Sequence, residues 1–209
     1  MDRDYHALPI RELGAGAGFR RPAQSQAARV TPESPAMQVM TDLARVSPAT
    51  IRPQAPLSGA NQFMITRGVR LLLVVDEQHD TILGVITASD LLGERPMLVA
   101  TGRGLRRDEL TVADVMTPAT QVEVIALADV EGSRVGHVLE TLRRAGRQHA
   151  LVVDYDTLPP AGLLERATLR TMVRGIFSIS QIARQLGVTL PSGGEVARTF
   201  SEIEAALAR

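Results

Sequence analysis

The sequence predicts an α/β protein made of two tandem β-α-β-β-α repeats, and two recurring patterns support this prediction. The stretch Gly84–Asp90, with sequence GVITASD, follows an apolar strand and returns as Gly175–Gln181, with sequence GIFSISQ. The stretch Gly68–Asp76 ends in LVVD and recurs 78 residues later as Gly146–Asp154, again ending in LVVD. Patterns that recur in the same order along a chain indicate an internal duplication.

The composition is that of an ordinary soluble protein and excludes several kinds of catalysis. The 209 residues carry no net charge and include no Cys, and all 23 residues in the Lys and Arg count are Arg. Thiolate and lysine nucleophiles, a lysine-based phosphate loop and cysteine metal sites are therefore ruled out. The sequence shows no paired carboxylates, no triad order and no metal-ligand spacing among its four histidines, so we expect neither an enzyme nor a metal site.

Charge and hydropathy also bear on partners and location. The neutral balance and the 3% content of aromatic residues disfavour a nucleic-acid partner. No apolar run approaches the roughly 20 residues needed to span a membrane. The segment Met1–Asp4 lacks the order of a secretory signal. We therefore expect a cytoplasmic protein without a membrane partner.

The first repeat is predicted over residues 36–95, after an irregular N-terminal arm at residues 1–35. The glycines of the arm are spaced G-x-G-x-G and do not match a dinucleotide-binding loop. The predicted elements of this repeat are a leading helix within Ala36–Ala44, an extended segment Ser47–Pro53, a helix Ser58–Arg67 ending at Gly68, strands Val69–Val75 and Ile82–Thr87, and a helix Ala88–Leu92.

The second repeat is predicted over residues 111–187, after a Gly- and Arg-rich linker at residues 96–110. Its segment Thr117–Thr120 echoes Ser47–Thr50, and a strand Val122–Leu127 and a helix Ser133–Ala145 follow. The glycine motifs are 91 residues apart but the preceding motifs only 78, so the second copy has 13 extra residues. This insertion falls within residues 155–172, where the part after Pro159 could be helical.

Residues 188–209 predict a C-terminal amphipathic helix. Val196, Phe200, Ile203 and Leu207 follow one another at i, i+4, i+7 and i+11, which makes one apolar stripe on a polar helix. The stripe must be covered either by the rest of this chain or by another subunit, and the pattern leaves both alternatives open.

The doubled unit, with Leu-Val-Val-Asp followed by Gly-h-h-Thr-x-x-Asp (h for an apolar residue), resembles a tandem pair of CBS domains over about residues 46–186. The resemblance implies two repeats packed sheet to sheet with pseudo-two-fold symmetry, with clefts between them for AMP, ADP, ATP or S-adenosylmethionine. It also implies a homodimer of such pairs and an unidentified regulated protein. With no catalytic domain attached, the chain resembles a stand-alone pair.

The resemblance also implies which residues hold the ligand. A carboxylate can accept hydrogen bonds from both ribose hydroxyls, a Thr hydroxyl can meet a phosphate, and the strand before the first helix would line the adenine. The linker arginines Arg103, Arg106 and Arg107 could assist, or form a solvated basic loop. The predicted first site consists of Thr50, Ile51, Arg52, Val69, Arg70, Thr87 and Asp90. The predicted weaker second site consists of Arg147, His149, Ser178 and Gln181.

A structural explanation competes with each of these assignments. Thr87-x-x-Asp90 is close to a capping box, and Ser178-x-x-Gln181 fits that box better still. Capping alone stabilises a helix by about 1 kcal/mol and requires no ligand. Gln181 lacks the two equivalent acceptors of a carboxylate, so binding is expected at Asp90 before Gln181. Arg147 and His149 could touch a ligand at the cleft edge, and solvent exposure at the start of the strand is slightly favoured.

Two functions remain open from sequence. The first is a non-catalytic regulatory module that senses an adenosine nucleotide and requires no cofactor. The second is a ligand-free dimerisation or scaffold protein, which the apolar tail stripe and the weak second motif suggest.

Overall fold

The chain is described here by a computed structural model, which covers residues 30–77, 81–158, 168–188 and 196–207. Its strands are β1 (Thr41–Asp42), β2 (Thr50–Ile51), β3 (Leu71–Val75), β4 (Ile82–Thr87), β5 (Thr117–Pro118), β6 (Val124–Ala126), β7 (His149–Leu158) and β8 (Thr168–Ser178). Its α-helices are α1 (Leu57–Arg67), α2 (Ala88–Leu92), α3 (Arg95–Arg103), α4 (Val112–Val115), α5 (Leu127–Glu131), α6 (Val135–Ala145), α7 (Ile179–Gln185) and α8 (Val196–Leu207).

The strands form two four-stranded sheets, one for each predicted repeat. The first has the order β2-β3-β4-β5 and the second the order β1-β8-β7-β6. In each sheet the short strand before the helix runs parallel to the first long strand, and the other pairs are antiparallel. The β-α-β-β-α order of each repeat and the α/β fold class are confirmed.

The two sheets pack face to face because their central strands are apolar on both sides. In β3, Leu72 and Val74 face the helices of the first repeat. The alternate residues Leu71, Leu73 and Val75 join Leu151 of β7 in a separate cluster between the sheets. Successive side chains of a strand point to opposite faces, so one five-residue run supplies two cores.

Each sheet receives its fourth strand from the segment that leads into the other repeat. Strand β5 precedes the second repeat but pairs with β4 of the first. Strand β1 precedes the first repeat but pairs with β8 of the second. The 3₁₀ turn before β1, Ala36–Val39, is likewise buried in the second core, and α4 before β5 is buried in the first. The exchange is reciprocal and follows the pseudo-two-fold relation of the repeats.

Strands β1 and β5 are called crossing strands here, because each pairs with the sheet of the other repeat. The glycines of the repeated motif allow them to approach closely. A Cβ atom built on Gly84 would overlap the carbonyl oxygen of Thr117 in β5, and one built on Gly175 would overlap the side chain of Met40. A glycine inside a strand is expected where another backbone approaches closely. The two helices that precede the long strands end as predicted, with Gly68 at φ 64° and Gly146 at φ 61°.

The structure corrects three local predictions. Residues 96–110 are not an irregular linker, because α3 occupies Arg95–Arg103 and a 3₁₀ turn follows. The leading helix within 36–44 is one 3₁₀ turn followed by β1. The echo between Ser47–Thr50 and Thr117–Thr120 is not a structural equivalence. Thr117 of β5, which pairs with β4, corresponds to Thr41 of β1, which pairs with β8. Thr50 of β2, which pairs with β3, corresponds to Val124 of β6, which pairs with β7.

The insertion of the second repeat lengthens its hairpin. Strands β7 and β8 stay paired from Asp154 and Met172 outward to Leu158 and Thr168, beyond the residues that pair with β6 and β1. The residues after Pro159 for which a helix was considered lie outside the described part of the chain.

The chain termini pack on the second repeat where they are described. Phe200 and Ile203 of α8 are buried in the second core, so these two residues of the tail stripe pack within their own chain. Of the predicted arm, residues 1–29 lie outside the described ranges, and Val30 is buried in the same core. Within the described ranges, the helices are too short or too polar to cross a bilayer.

Candidate functional site: two clefts between the repeats

Two clefts open between the repeats, and each is named here after one residue of the repeated motif. The Asp90 cleft has a volume of about 410 Å³ and is lined by Thr87, Ser89 and Asp90 from the first repeat. Across from them lie residues 121–125, which lead into and begin β6, and residues 145–151, where α6 turns into β7. Both the volume and the meeting of two structural units are typical of ligand sites.

The Gln181 cleft is the counterpart on the other side of the pseudo-two-fold axis, with a volume of about 490 Å³. Ser178, Ser180 and Gln181 come from the second repeat. Residues 47–49 before β2 and residues 66–71, where α1 turns into β3, come from the first. Each cleft thus combines the motif of one repeat with the strand lead-in of the other.

This geometry regroups the residues predicted from sequence. Thr87 and Asp90 share a cleft with Arg147 and His149, which were assigned to the second site. Val69 and Arg70, which were assigned to the first, lie with Ser178 and Gln181. Face-to-face packing explains this regrouping, because it places the ends of β4 and β8, at Thr87 and Ser178, against the opposite repeat.

Thr50, Ile51 and Arg52 lie in neither cleft. They line a separate hollow of about 310 Å³ beside Ala55 and Phe63. The residues of this segment that line a cleft are 47–49, directly before β2. The Nη1 atom of Arg52 is buried, and no described residue bonds to it.

Asp90 acts as a helix cap and an ion-pair partner at the same time. Its Oδ2 atom accepts hydrogen bonds from the backbone N–H of Thr87 at 2.8 Å and from the Thr87 hydroxyl at 2.7 Å. Its Oδ1 atom accepts one bond, from Nη1 of Arg95 at 3.3 Å. The carboxylate is 19% exposed. Since a carboxylate oxygen can accept two hydrogen bonds, Oδ1 keeps acceptor capacity for a ligand hydroxyl.

The second copy of the motif is not the capping box that its sequence suggests. Ser178 precedes α7 but makes no side-chain capping bond. Gln181 instead accepts a hydrogen bond at its Oε1 atom from the Thr41 hydroxyl at 2.9 Å. The crossing strand β1 supplies that donor from 140 residues away, so no local pattern could predict it.

In the first copy of the motif, Arg95 connects Asp90 to the crossing strand β5. Nη1 of Arg95 donates to the Thr117 hydroxyl at 3.2 Å, and Nη2 donates to the carbonyl of Met116 at 2.9 Å. Arg95, Thr117 and Thr41 were not predicted as site residues. A sequence signal existed, since Val39-Met40-Thr41 recurs as Val115-Met116-Thr117 immediately before β1 and β5.

A second Thr-x-x-Asp segment shows the same cap away from both clefts. Thr111 donates to Asp114 Oδ2 from its backbone N–H and from its hydroxyl, each at 2.8 Å. The Thr111 backbone bond is the main cause that lowers the pKa of Asp114 below its ordinary value, and Arg103 adds to it. The motif alone therefore does not define a ligand site.

His149 lies between the two clefts and lines both, as does Leu71, its structural counterpart in β3. This partly buried position differs from the slight preference for a solvent-facing side chain, whereas Arg147, to which the same preference applied, is exposed. Burial, the largest cause, and the positive charge of Arg70 together lower the pKa of His149 to about 4, and Asp90 opposes the shift. The imidazole of the second repeat is thus held neutral beside a cation and an anion that both come from the first repeat.

The basic residues of the former linker are engaged elsewhere. Arg103 pairs with Asp114, Arg106 pairs with Asp108, and Arg107 donates to the carbonyl of Leu91. None of the three lines either cleft.

Comparison with known proteins agrees with this architecture. Residues 36–96 match the family model of the CBS domain. No curated protein matches the chain. The fold and clefts define a two-repeat protein with paired inter-repeat sites. More particularly, the second half repeats the fold of the segment that matches the CBS domain model, so the chain has the fold of a tandem CBS-domain pair.

Solved structures resemble the chain at low identity. An uncharacterized conserved protein from Pyrococcus horikoshii is 20% identical with a TM-score of 0.50, over 78% of this chain and 100% of the other. A CBS domain pair in complex with 5′-methylthioadenosine and S-adenosyl-L-methionine is 20% identical with a TM-score of 0.47, over 75% and 98%. The CBS domain of a bacterial CNNM/CorC family Mg²⁺ transporter, in complex with ATP, is 21% identical with a TM-score of 0.45, over 75% and 89%.

Proposed function

We propose that this protein is a non-catalytic regulatory module that binds an adenosine compound between its two repeats. The observation that carries the proposal is the composition of the clefts, since each joins the motif of one repeat to the strand lead-in of the other. A ligand in either cleft would contact both repeats and favour the arrangement that brings them together. Ligand binding then shifts a conformational equilibrium, which a regulated partner protein can sense.

The Asp90 cleft suits the nucleoside part of such a ligand. Oδ1 of Asp90 has one donor at 3.3 Å and can accept further hydrogen bonds from ribose hydroxyls. Val122, Val124 and Ile125 offer apolar surface on the opposite wall for a base. Similar structures that hold AMP, ATP or S-adenosyl-L-methionine indicate which compounds to try first.

Calorimetric titration with AMP, ADP, ATP and S-adenosylmethionine tests the proposal. We expect wild type to bind at least one of them and Asp90→Asn to weaken that binding by about tenfold or more, because one charged acceptor is lost. Asp114→Asn is the matched control, since it removes the same kind of cap outside both clefts and should bind like wild type.

The controls decide between a ligand role and a structural one. Equal weakening by both substitutions would mean that Asp90 acts only through helix capping. Absence of binding by the wild type to all four compounds would refute the proposal. Thermal unfolding of each variant shows whether the fold is retained.

Ligand-independent association of two copies is the second candidate function. Leu92, Met97 and Leu98 on α2 and α3 are 57–69% exposed, which is unusual for large apolar side chains. The candidate requires a dimer in sedimentation experiments without ligand, and Leu98→Glu should dissociate it. A monomeric wild type would rule this function out.

A further inference from the structure

The two clefts differ in charge although their folds are equivalent. The Asp90 cleft is lined by two carboxylates, Asp90 and Glu123, and by Arg147. The Gln181 cleft is lined by Arg67, Arg70 and Arg184 and by no carboxylate. Apart from His149, which lines both, these are the charged groups of the two walls. Because Asp90 is also paired with Arg95, the Asp90 cleft carries little net charge, whereas the Gln181 cleft carries three positive charges.

The three arginines of the Gln181 cleft have no counter-ion among the described residues. Within the described ranges, none of them forms an ion pair, and Arg67 only lies over the ring of Phe63 at 5.7 Å. Arginines elsewhere in the described chain commonly have acidic partners, among them Arg95, Arg103, Arg143, Arg144 and Arg174. Unpaired guanidinium groups gathered from two repeats at one cleft are suited to a multivalent anion.

The positive charge of Arg70 acts on a group inside the cleft. Arg70 lowers the pKa of His149, so its charge reaches the partly enclosed imidazole. Interactions between charges that are partly shielded from water are screened less by salt than those at an open surface.

The motif residue of the Gln181 cleft is poorly suited to ribose. Oε1 of Gln181 already accepts a bond from Thr41 at 2.9 Å. Oε1 of Gln181 and Oδ1 of Asp90 each keep one free lone pair. The amide is neutral, however, so a ribose hydroxyl bonded to it lacks the charge assistance that the carboxylate of Asp90 supplies in the other cleft. The groups suited to phosphate therefore lie in the Gln181 cleft, and the carboxylate suited to ribose lies in the Asp90 cleft.

We infer that the Gln181 cleft binds a polyphosphate chain through Arg67, Arg70 and Arg184, whereas the Asp90 cleft binds a nucleoside whose phosphate is dispensable. The polyphosphate is that of a nucleotide or a free inorganic chain, because the arginines recognise the shared phosphate chemistry. This division of ligand classes rests on the proposed function.

Calorimetry on the full chain with sodium tripolyphosphate, ATP and adenosine tests the inference. Tripolyphosphate should bind wild type, and its affinity should fall as salt is raised. The double variant Arg70→Gln/Arg184→Gln should weaken tripolyphosphate and ATP binding by about tenfold or more, since charge-assisted bonds are lost. Asp90→Asn should weaken adenosine binding and leave tripolyphosphate binding unchanged.

A double variant outside the clefts controls for net charge. Arg106→Gln/Arg144→Gln removes two exposed arginines that pair with Asp108 and Glu140, and it should bind tripolyphosphate as wild type does. If the first double variant does not fold, the single substitution of the exposed Arg67→Gln replaces it. Equal losses in the cleft and control variants would overturn the inference.

The remaining outcomes separate the inference from the proposed function. Binding of adenosine without any binding of tripolyphosphate would overturn the inference and leave the function standing. Binding of tripolyphosphate alone, lost with the cleft arginines, would support the anion site and refute an adenosine-sensing role. ATP binding that depends on Asp90 but not on the cleft arginines would also overturn the inference.

Discussion

His149 shows how one residue can link two sites. It begins β7, pairs with Ser178 and lines both clefts, whereas its counterpart Leu71 is an apolar residue at the same level of the first sheet. Asp90 lines one cleft and Arg70 the other, and the charges of both act on the imidazole. Any change in the charge of the imidazole is therefore felt at both clefts.

The burial of His149 predicts a loss of stability in acid. Its pKa is about 4 in the folded protein, compared with the ordinary value of 6.5 that applies to the unfolded chain. Below pH 6.5 the unfolded chain takes up a proton that the folded chain does not, so the stabilisation present above pH 6.5 is lost as the pH falls towards 4. Between pH 7 and pH 5 the free energy of unfolding should fall by about 2 kcal/mol from this residue.

Urea unfolding of wild type and His149→Gln at pH 7 and pH 5 measures this contribution. The substitution should reduce the acid loss, because glutamine does not titrate. His137→Gln, at an exposed position on α6, should keep it. If His149→Gln and wild type lose the same free energy, His149 does not bind its proton differently in the two states.

Among the elements, the crossing strands constrain the sequence most tightly. Strand β5 passes so close to β4 that a methyl group on Gly84 would meet backbone atoms of Thr117. Strand β1 passes β8 in the same way, but there Gly175 faces the side chain of Met40. A thioether chain can move aside more easily than a backbone carbonyl.

Gly84→Ala should therefore destabilise the protein by about 1–3 kcal/mol or more, as overpacking does in other cores. Gly175→Ala should cost less, because Met40 can move aside. Gly102→Ala on α3, where a Cβ atom meets nothing within 4 Å, should stabilise by up to about 1 kcal/mol through helix propensity. Denaturant midpoints of the three variants test this order, and a neutral Gly84→Ala would contradict the close crossing.

Across the whole molecule, each hydrophobic core needs a segment from the other half of the chain. Val39 belongs to the first half by sequence but is fully buried in the second core. Val115 belongs to the second half but is fully buried in the first core. With the sheet-to-sheet cluster between them, the two repeats share their stabilising contacts.

This sharing predicts that the repeats unfold together. Scanning calorimetry should show one transition whose calorimetric and van't Hoff enthalpies agree. Val39→Ala and Val115→Ala should each lower the stability of that single transition by about 2 kcal/mol, because each leaves a cavity in a packed core. Two resolved transitions, with one variant affecting only one of them, would show that the repeats are independent.

Local sequence was sufficient for the elements of each repeat. Periodicity predicted the helices ending at Gly68 and Gly146, and the apolar run of β3 predicted a strand buried on both faces. It was less informative at residues 96–110, where a Pro and two Gly indicated a linker but burial of Pro96 and Ala100 supports a helix. Packing against the first core outweighed local propensity there.

The sequence by itself determined the duplication, the order of elements and the divergence of the motif between Asp90 and Gln181, because these depend on residues close together in the chain. Only the tertiary structure decided which residues share a cleft. Arg147 and His149 face Thr87 and Asp90, and Arg70 faces Gln181, because two sheets pack face to face across a pseudo-two-fold axis. That packing joins side chains far apart in sequence, and no local pattern encodes it.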